Sequence, residues 1–134
     1  MSNFLYDFGR EGFLDGSIDW DTDDIRVVAV TSGYSAVQAT DQYLSAISGG
    51  FRVAVSSSFS SKTVTGGIAN AASVTLASVT GSAITQLVIY KHTGTDSTSR
   101  LIAHIDTYSG LPFTPSGGDI VITWPTGTNK IFKL

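Results

Sequence analysis

The chain has 134 residues, of which 42% are hydrophobic and only 14% are charged, and it contains no cysteine. This length suits one domain whose core is held by packing alone, without disulfides or thiolate metal sites. The net charge of −3 and the scattered Lys and Arg residues predict that nucleic acid is not a partner. No apolar run is long enough to predict a membrane span.

The first two dozen residues combine aromatic side chains, glycines and aspartates. Because glycine disfavours a helix by about 1 kcal/mol relative to alanine, we predict an ordered arm or a short helical turn over 1–24, followed by a β domain over 25–134. An arm this apolar must bury its rings on its own domain or on a neighbour. The residues predicted to bind a partner are Phe4, Tyr6, Phe8, Phe13, Asp19, Trp20 and Asp21.

Five aspartates stand close together at the end of this segment, and Asp19, Asp21 and Asp23 have the alternating spacing of a calcium-binding loop. An EF-hand would need glycine and glutamate where Asp24 and Val30 stand. The competing interpretation is a solvated turn whose aspartates cap local amides, or an acidic patch that faces a basic partner. We predict no metal and no cofactor.

The rest of the chain is predicted to be mainly β. Residues 25–31 are β-branched and nearly continuous, which is typical of a strand covered on both faces. A capping residue, one apolar face and a following Gly-Gly pair predict a short helix over 40–47. Alternation and turn signals predict further short strands at 51–55, 62–65, 73–77, 84–91, 100–106, 119–124 and 130–134. This pattern favours a single-domain β-sandwich or barrel-like fold with an N-terminal arm and one short helix.

Two hairpins are predicted from the order of these strands. The first pairs 84–91 with 100–106 across a longer loop, with Leu101, Ala103 and Ile105 on one face and His104 on the other. The second pairs 119–124 with 130–134. A turn at Gly66-Gly67 is expected between 62–65 and 73–77.

The residue types that catalysis requires are sparse. Glu11 is the single glutamate, no Gly-x-Ser-x-Gly motif occurs, and the aspartates outside the cluster stand in predicted turns, caps or strand ends. His92 and His104 flank the hairpin loop, but a zinc site built on them would lack further ligands, so we predict ordinary surface histidines. We therefore predict that the chain is not an enzyme.

The remaining aromatic residues leave two interpretations open. They could line a sugar-binding face, or they could fill a small core and an interface, which we favour. The residues concerned are Trp20, Tyr34, Tyr43, Tyr90, Tyr108 and Trp124.

Several strings of residues extend over nearly the full length. They are YDFGREGFLDG at 6–16, IDW at 18–20, QYL at 42–44, LVIYK at 87–91, SRLIA at 99–103, GLP at 110–112, GGDI at 117–120 and FKL at 132–134. In these strings the chain resembles a family of small virion structural proteins of tailed bacteriophages.

The resemblance implies a structural protein of the particle and brings no active site with it. What it implies in detail is a capsid decoration (cement) protein on the outside of the capsid, with the major capsid protein as partner and a homotrimer as oligomeric state. The alternatives are a tail or neck component, or a host-surface module that binds carbohydrate.

Overall fold

A computed structural model describes residues 3–107, 111–124 and 130–134 of the chain. Its ten strands and one helix are β1 (Phe4–Leu5), α1 (Asp7–Asp15), β2 (Ile25–Val30), β3 (Arg52–Val55), β4 (Thr63–Thr65), β5 (Ile68–Asn70), β6 (Val74–Leu76), β7 (Gln86–Lys91), β8 (Leu101–Ile105), β9 (Ile120–Ile122) and β10 (Phe132–Lys133). The predicted mainly β fold class is confirmed. None of the sheets closes into a barrel within the described part of the chain. Among the same residues, no helix has the length and hydropathy needed to cross a membrane.

The main sheet has five antiparallel strands in the order β1-β8-β7-β2-β3. Its central strands β2 and β7 are buried along almost their whole length. Because successive side chains of a strand point to opposite faces, Val27 and Ala29 enter one core cluster while Val28 and Val30 enter another. The prediction that the strand over 25–31 is covered on both faces is therefore confirmed.

Two smaller sheets cover the first face of the main sheet. One has the strand order β10-β5-β4 and the other pairs β6 with β9. Their apolar residues pack with Ile18 and Trp20 against the side chains of β2, β7 and β8 on this face. The result is a layered, sandwich-like arrangement in which β4 forms an outer edge.

The second face is covered by the segment between β2 and β3, through Tyr34, Leu44 and Ile47. The predicted helix over 40–47 is wrong, since only a 3₁₀ turn forms at Leu44–Ala46. The backbone of this segment forms hydrogen bonds with the β7–β8 hairpin: Leu44 N donates to Ser99 O at 2.8 Å, and Leu101 N donates to Gln42 O at 2.9 Å. These bonds to the neighbouring hairpin take the place of helical ones.

The one α-helix lies at Asp7–Asp15, in the segment whose glycines argued against a long helix. Those glycines allow close packing on β8. A Cβ atom on Gly9 would lie 2.8 Å from the carbonyl oxygen of Leu101 and 2.9 Å from Cα of Ile102. Gly16 then ends the helix in the left-handed conformation, which glycine adopts without strain.

Residues 3–24, the predicted N-terminal arm, pack against the strands that follow them. β1 pairs with β8 at the edge of the main sheet, and Tyr6 N donates to Ile102 O at 2.9 Å. Tyr6 and Trp20 are buried in the core of their own chain. The rings of Tyr6 and Trp20 are therefore buried on their own domain and not on a neighbour.

Strand pairing agrees with the prediction in one hairpin and differs in another. β7 and β8 form the expected hairpin. The Gly66-Gly67 turn joins β4 to β5, a strand that was not predicted, while β9 pairs with β6 and β10 pairs with β5. The predicted pairing of 119–124 with 130–134 is therefore wrong, because its two halves join different strands.

A bulge in the β7–β8 hairpin changes which face each side chain occupies. Ala103 pairs with Ile89 and Leu101 pairs with Tyr90, so Ile102 is an extra residue between the two pairs. Leu101 consequently packs on the second face, while Ala103 packs on the first. The expected alternation fails at this point.

His104 is fully buried, which corrects its predicted surface position. The amide nitrogen of Gln86 donates to the carbonyl oxygens of Thr31 at 2.7 Å and Tyr34 at 2.9 Å. Its Oε1 therefore faces Nε2 of His104 at 2.6 Å, and this places a proton on that nitrogen. The imidazole also stacks on Phe4, with 4.9 Å between the ring centroids.

The packing of α1 on β8 predicts the effect of adding one methyl group. Gly9→Ala should lower the free energy of unfolding by about 1–3 kcal/mol, because the new Cβ meets backbone atoms that cannot rotate away. Gly49→Ala, where a Cβ meets no atom within 4 Å, should change it by less than about 0.5 kcal/mol. Urea denaturation measures both, and a Gly9→Ala protein as stable as the parent would contradict the close packing.

The buried amide network predicts a second stability effect. Gln86→Leu should lower the free energy of unfolding by about 3 kcal/mol, because the half-buried Thr31 carbonyl, the buried Tyr34 carbonyl and the His104 ring each lose a hydrogen-bond partner. Gln42→Leu removes a side chain that donates one hydrogen bond, to the Tyr43 hydroxyl, and should cost about 1 kcal/mol or less. Equal losses from the two substitutions would show that the network contributes no special stability.

Candidate interaction surface

The seven predicted binding residues fall into two groups in the structure. Phe4 and Tyr6 belong to the second core cluster, where their rings pack edge to face, and the half-buried Phe8 lies on α1. Phe13, Asp19 and Trp20 lie together at the other side of the main sheet, where they line one groove. The exposed Asp21 follows them in the chain. The prediction had placed all seven on one arm.

The first group is engaged within its own chain. The hydroxyl oxygens of Tyr6 and Tyr34 lie 2.8 Å apart, and the Tyr34 hydroxyl donates to Asp41 Oδ2 at 2.6 Å. Burial is the largest cause that raises the pKa of Tyr6 and of Tyr34 far above their usual value. Both phenols therefore stay protonated, and they tie the segment between β2 and β3 to the start of the chain.

The second group forms one wall of an apolar groove of about 330 Å³. The opposite wall is the sheet β10-β5-β4, on which Phe132, Ala69 and Val64 pair in one row across the three strands. Phe132 contacts both aromatic rings of the first wall, with centroids 5.9 Å from Phe13 and 5.2 Å from Trp20. Ile18 and Leu134 also line the groove.

Trp20 is held rigidly in the wall of this groove. Its Nε1 donates to the carbonyl oxygen of Asn70 at 3.1 Å, which fixes the indole against β5. A second edge-to-face contact joins it to Phe59, at 6.0 Å between centroids. The groove is therefore preformed and needs no rotation of its largest side chain to accept a ligand.

Beside the groove, β4 is the outer strand of its sheet, and no described strand pairs with its outer edge. All three residues of β4 are exposed, and Val64 keeps 55% of its surface accessible. Ala69, which pairs with Val64, points its carbonyl oxygen to β10, where Ile131 N donates to it at 3.2 Å. Because the N–H and C=O of one strand residue point the same way, Val64 and Ala69 form a non-hydrogen-bonded pair. The N–H and C=O of Val64 therefore point to the open edge.

Asp19 lines the groove and Asp21 follows it closely in the chain, and neither has an ion-pair partner among the described residues. The carboxyl groups of Asp19 and Asp21 share a hydrogen bond, which is the largest cause that lowers the pKa of Asp19 and raises that of Asp21. The two carboxyl groups therefore lie close together. This arrangement produces a negative potential at the rim.

The neighbouring aspartates have internal partners. Asp23 Oδ2 accepts from Asp19 N at 2.7 Å and lies 3.2 Å from Lys91 Nζ. Asp24 forms a two-pronged ion pair with Arg26, and that hydrogen bonding lowers the pKa of Asp24. The calcium-loop spacing thus corresponds to a capped turn, as the competing interpretation proposed. Among the described residues, no three His, Asp or Glu side chains are grouped as a metal site would require.

The other candidate clusters do not assemble. The strand register pairs His104 with Val88, whereas His92 lies beyond the far end of β7, so the two histidines are separated. Most aromatics of the proposed sugar-binding face are buried, and Tyr43 is half-buried beneath Arg100. The buried ones are Trp20, Tyr34, Tyr90 and Trp124. Tyr108 lies outside the described residues. For these four residues the core-filling interpretation is confirmed.

The groove residues that were not predicted include Val64, Phe132 and Leu134. A local signal existed for the first, since a two-residue Gly-Gly turn between β-branched residues is typical of a tight hairpin. Such a hairpin pairs Val64 with Ala69.

In comparisons with known proteins, no family model and no curated protein matches the chain.

The hydrogen bond between the carboxyl groups of Asp19 and Asp21 predicts a titration pattern. The Asp21 carboxyl should titrate at a higher pH than that of Asp19, and Asp19→Asn should bring the pKa of Asp21 back down toward its usual value, because the carboxylate that accepts its proton is gone. Carbon-detected NMR of the side-chain carboxyl resonances measures both. The opposite order of titration would show that the two groups do not share a hydrogen bond.

Proposed function

We propose that the chain is a structural protein of a tailed-phage virion that attaches to the assembled major capsid protein as a decoration subunit. The observation that carries the proposal is the preformed apolar groove beside the open edge of β4. An accessible apolar site of this kind, with a polar rim, has the anatomy of a protein–protein interface. The resemblance to phage virion proteins, in strings spread over nearly the full length, supports the expected class of partner.

The proposed mechanism is stabilisation by mass action. A subunit that binds the assembled shell, and not the separate capsid subunits, lowers the free energy of the assembled state. The low content of charged residues suits this role, because neutral polar side chains cost less to desolvate at an interface than ions do. Self-association as a homotrimer belongs to the same proposal.

Two core clusters suit the chain to such a role, because one on each face of the main sheet makes it a rigid scaffold. The groove is formed by segments far apart in sequence, near residue 20, residue 64 and residue 132. Its shape therefore depends on the whole domain being folded. A folded scaffold that presents a preformed site loses little conformational freedom on binding.

Copy number tests the proposed role. Particles of the phage that encodes the chain should contain it in a number comparable with that of the major capsid protein, as measured by quantitative mass spectrometry. Adding the protein to particles that lack it should raise the temperature at which the shell opens, because binding stabilises the assembled state. A copy number far below that of the capsid protein would instead favour the tail or neck alternative.

A further inference from the structure

We infer that the groove and the open edge of β4 together bind an extended segment of the partner chain, which adds to the sheet as a fourth strand and carries a basic residue beside Asp19 and Asp21. The inference rests on the proposed attachment role and names the surface and the kind of segment involved. Strand addition of this type draws affinity from main-chain hydrogen bonds and specificity from side-chain pockets.

The main-chain requirement is met at Val64. Its N–H and C=O point away from β5, as the bond from Ile131 N to Ala69 O requires. A strand laid beside β4 can therefore exchange two hydrogen bonds with this residue. β4 itself contains neither proline nor a charged side chain, which are two of the devices that protect an open edge.

The side-chain requirement follows from the row across the small sheet. Phe132, Ala69 and Val64 occupy successive strands on the face that lines the groove. The residue of an added strand opposite Val64 would continue this row. Its neighbours would be the other apolar lining residues, so an aliphatic side chain fits there.

The acidic side chains near β4 favour a segment of a different protein, and not a second copy of this chain, as the occupant of the open edge. Lys62, immediately before β4, donates to the carbonyl oxygen of Asp23, and Asp23 Oδ2 accepts from Asp19 N, so the acidic turn lies near this end of the strand. A second β4 packed antiparallel about a two-fold axis would bring its uncharged Gly66-Gly67 turn to that end. A basic side chain must therefore come from a different sequence.

The probe is a synthetic peptide, acetyl-Arg-Thr-Val-Thr-Val-Thr-Arg-amide, titrated into the full-length labelled protein and followed by amide NMR shifts. An arginine at each end allows either strand direction to place one beside the acidic pair. We expect saturable shifts centred on Val64. The same peptide with Glu for Arg should bind roughly tenfold more weakly, because it faces the acidic rim with like charge.

Two matched substitutions separate this surface from general effects of added charge. Val64→Lys and Val121→Lys both replace an exposed valine of a short strand, with 55% and 56% of its surface accessible. Val64→Lys should reduce affinity for the arginine peptide by roughly tenfold or more, since it covers the groove and repels the basic residue. Val121→Lys should leave affinity unchanged. Preserved amide shift dispersion shows that both variants fold.

Several outcomes would overturn the inference. They are shifts centred away from β4, equal affinity for the two peptides, or equal loss in both valine variants. A concentration-dependent dimer of the parent protein that Val64→Lys abolishes, measured by sedimentation, would also overturn it, because a second copy would then occupy the edge.

Particle binding separates this inference from the proposed function. If the peptide binds at β4 but purified particles contain none of the chain, the surface stands and the virion role fails. If particles contain the chain and Val64→Lys fills the same number of sites as the parent, the virion role stands and the surface fails.

Discussion

The pairing of β2 with β7 is the interaction on which the rest of the structure depends. Six residue pairs join these strands, from Ile25 with Lys91 to Val30 with Gln86. Both strands carry apolar side chains on both faces, and each such side chain gains about 1.5–3 kcal/mol when it is fully buried. Both faces of the main sheet must therefore be covered by other parts of the chain. The small sheets with Trp20 provide one cover, and the segment between β2 and β3 provides the other.

Much of the strand content was predictable because the signal is local. The β-branched run of β2 and the hairpin of β7 with β8 follow from residues that are neighbours in sequence. The positions of helices were not predictable in this way. Gly9 looks unfavourable for a helix until the backbone of Leu101 lies against it, and Thr40 to Ile47 look helical until their backbone bonds to the β8 hairpin. In both segments a contact with residues far along the chain overrides local propensity.

The candidate site was predictable on one wall and not on the other. Phe13, Asp19 and Trp20 were chosen as an aromatic and acidic group, and the structure places them together. Phe132 joins them because β10 pairs with β5, more than sixty residues away in sequence, and no local pattern indicates that pairing. The same non-local packing determines the position of Tyr6. Its ring was expected to reach a partner, but the second face of the main sheet needs it as cover.

Because many apolar side chains are needed to cover the two faces of the main sheet, few of them remain available to bind a partner. Among the described residues, six large aromatic side chains are buried inside the molecule, namely Tyr6, Trp20, Tyr34, Phe59, Tyr90 and Trp124. The accessible apolar surface near the groove is therefore small, and it consists mainly of Val64, Leu134 and the margins of the Phe13 and Phe132 rings. A three-residue strand exchanges few main-chain hydrogen bonds, and each contributes only about 1 kcal/mol net. Binding at one such site is therefore expected to be weak. A weak site suits a subunit that attaches to a repeating lattice, where linked contacts among neighbouring copies multiply the affinity of each. Under the proposed virion role, the smallness of the site thus argues for many copies acting together.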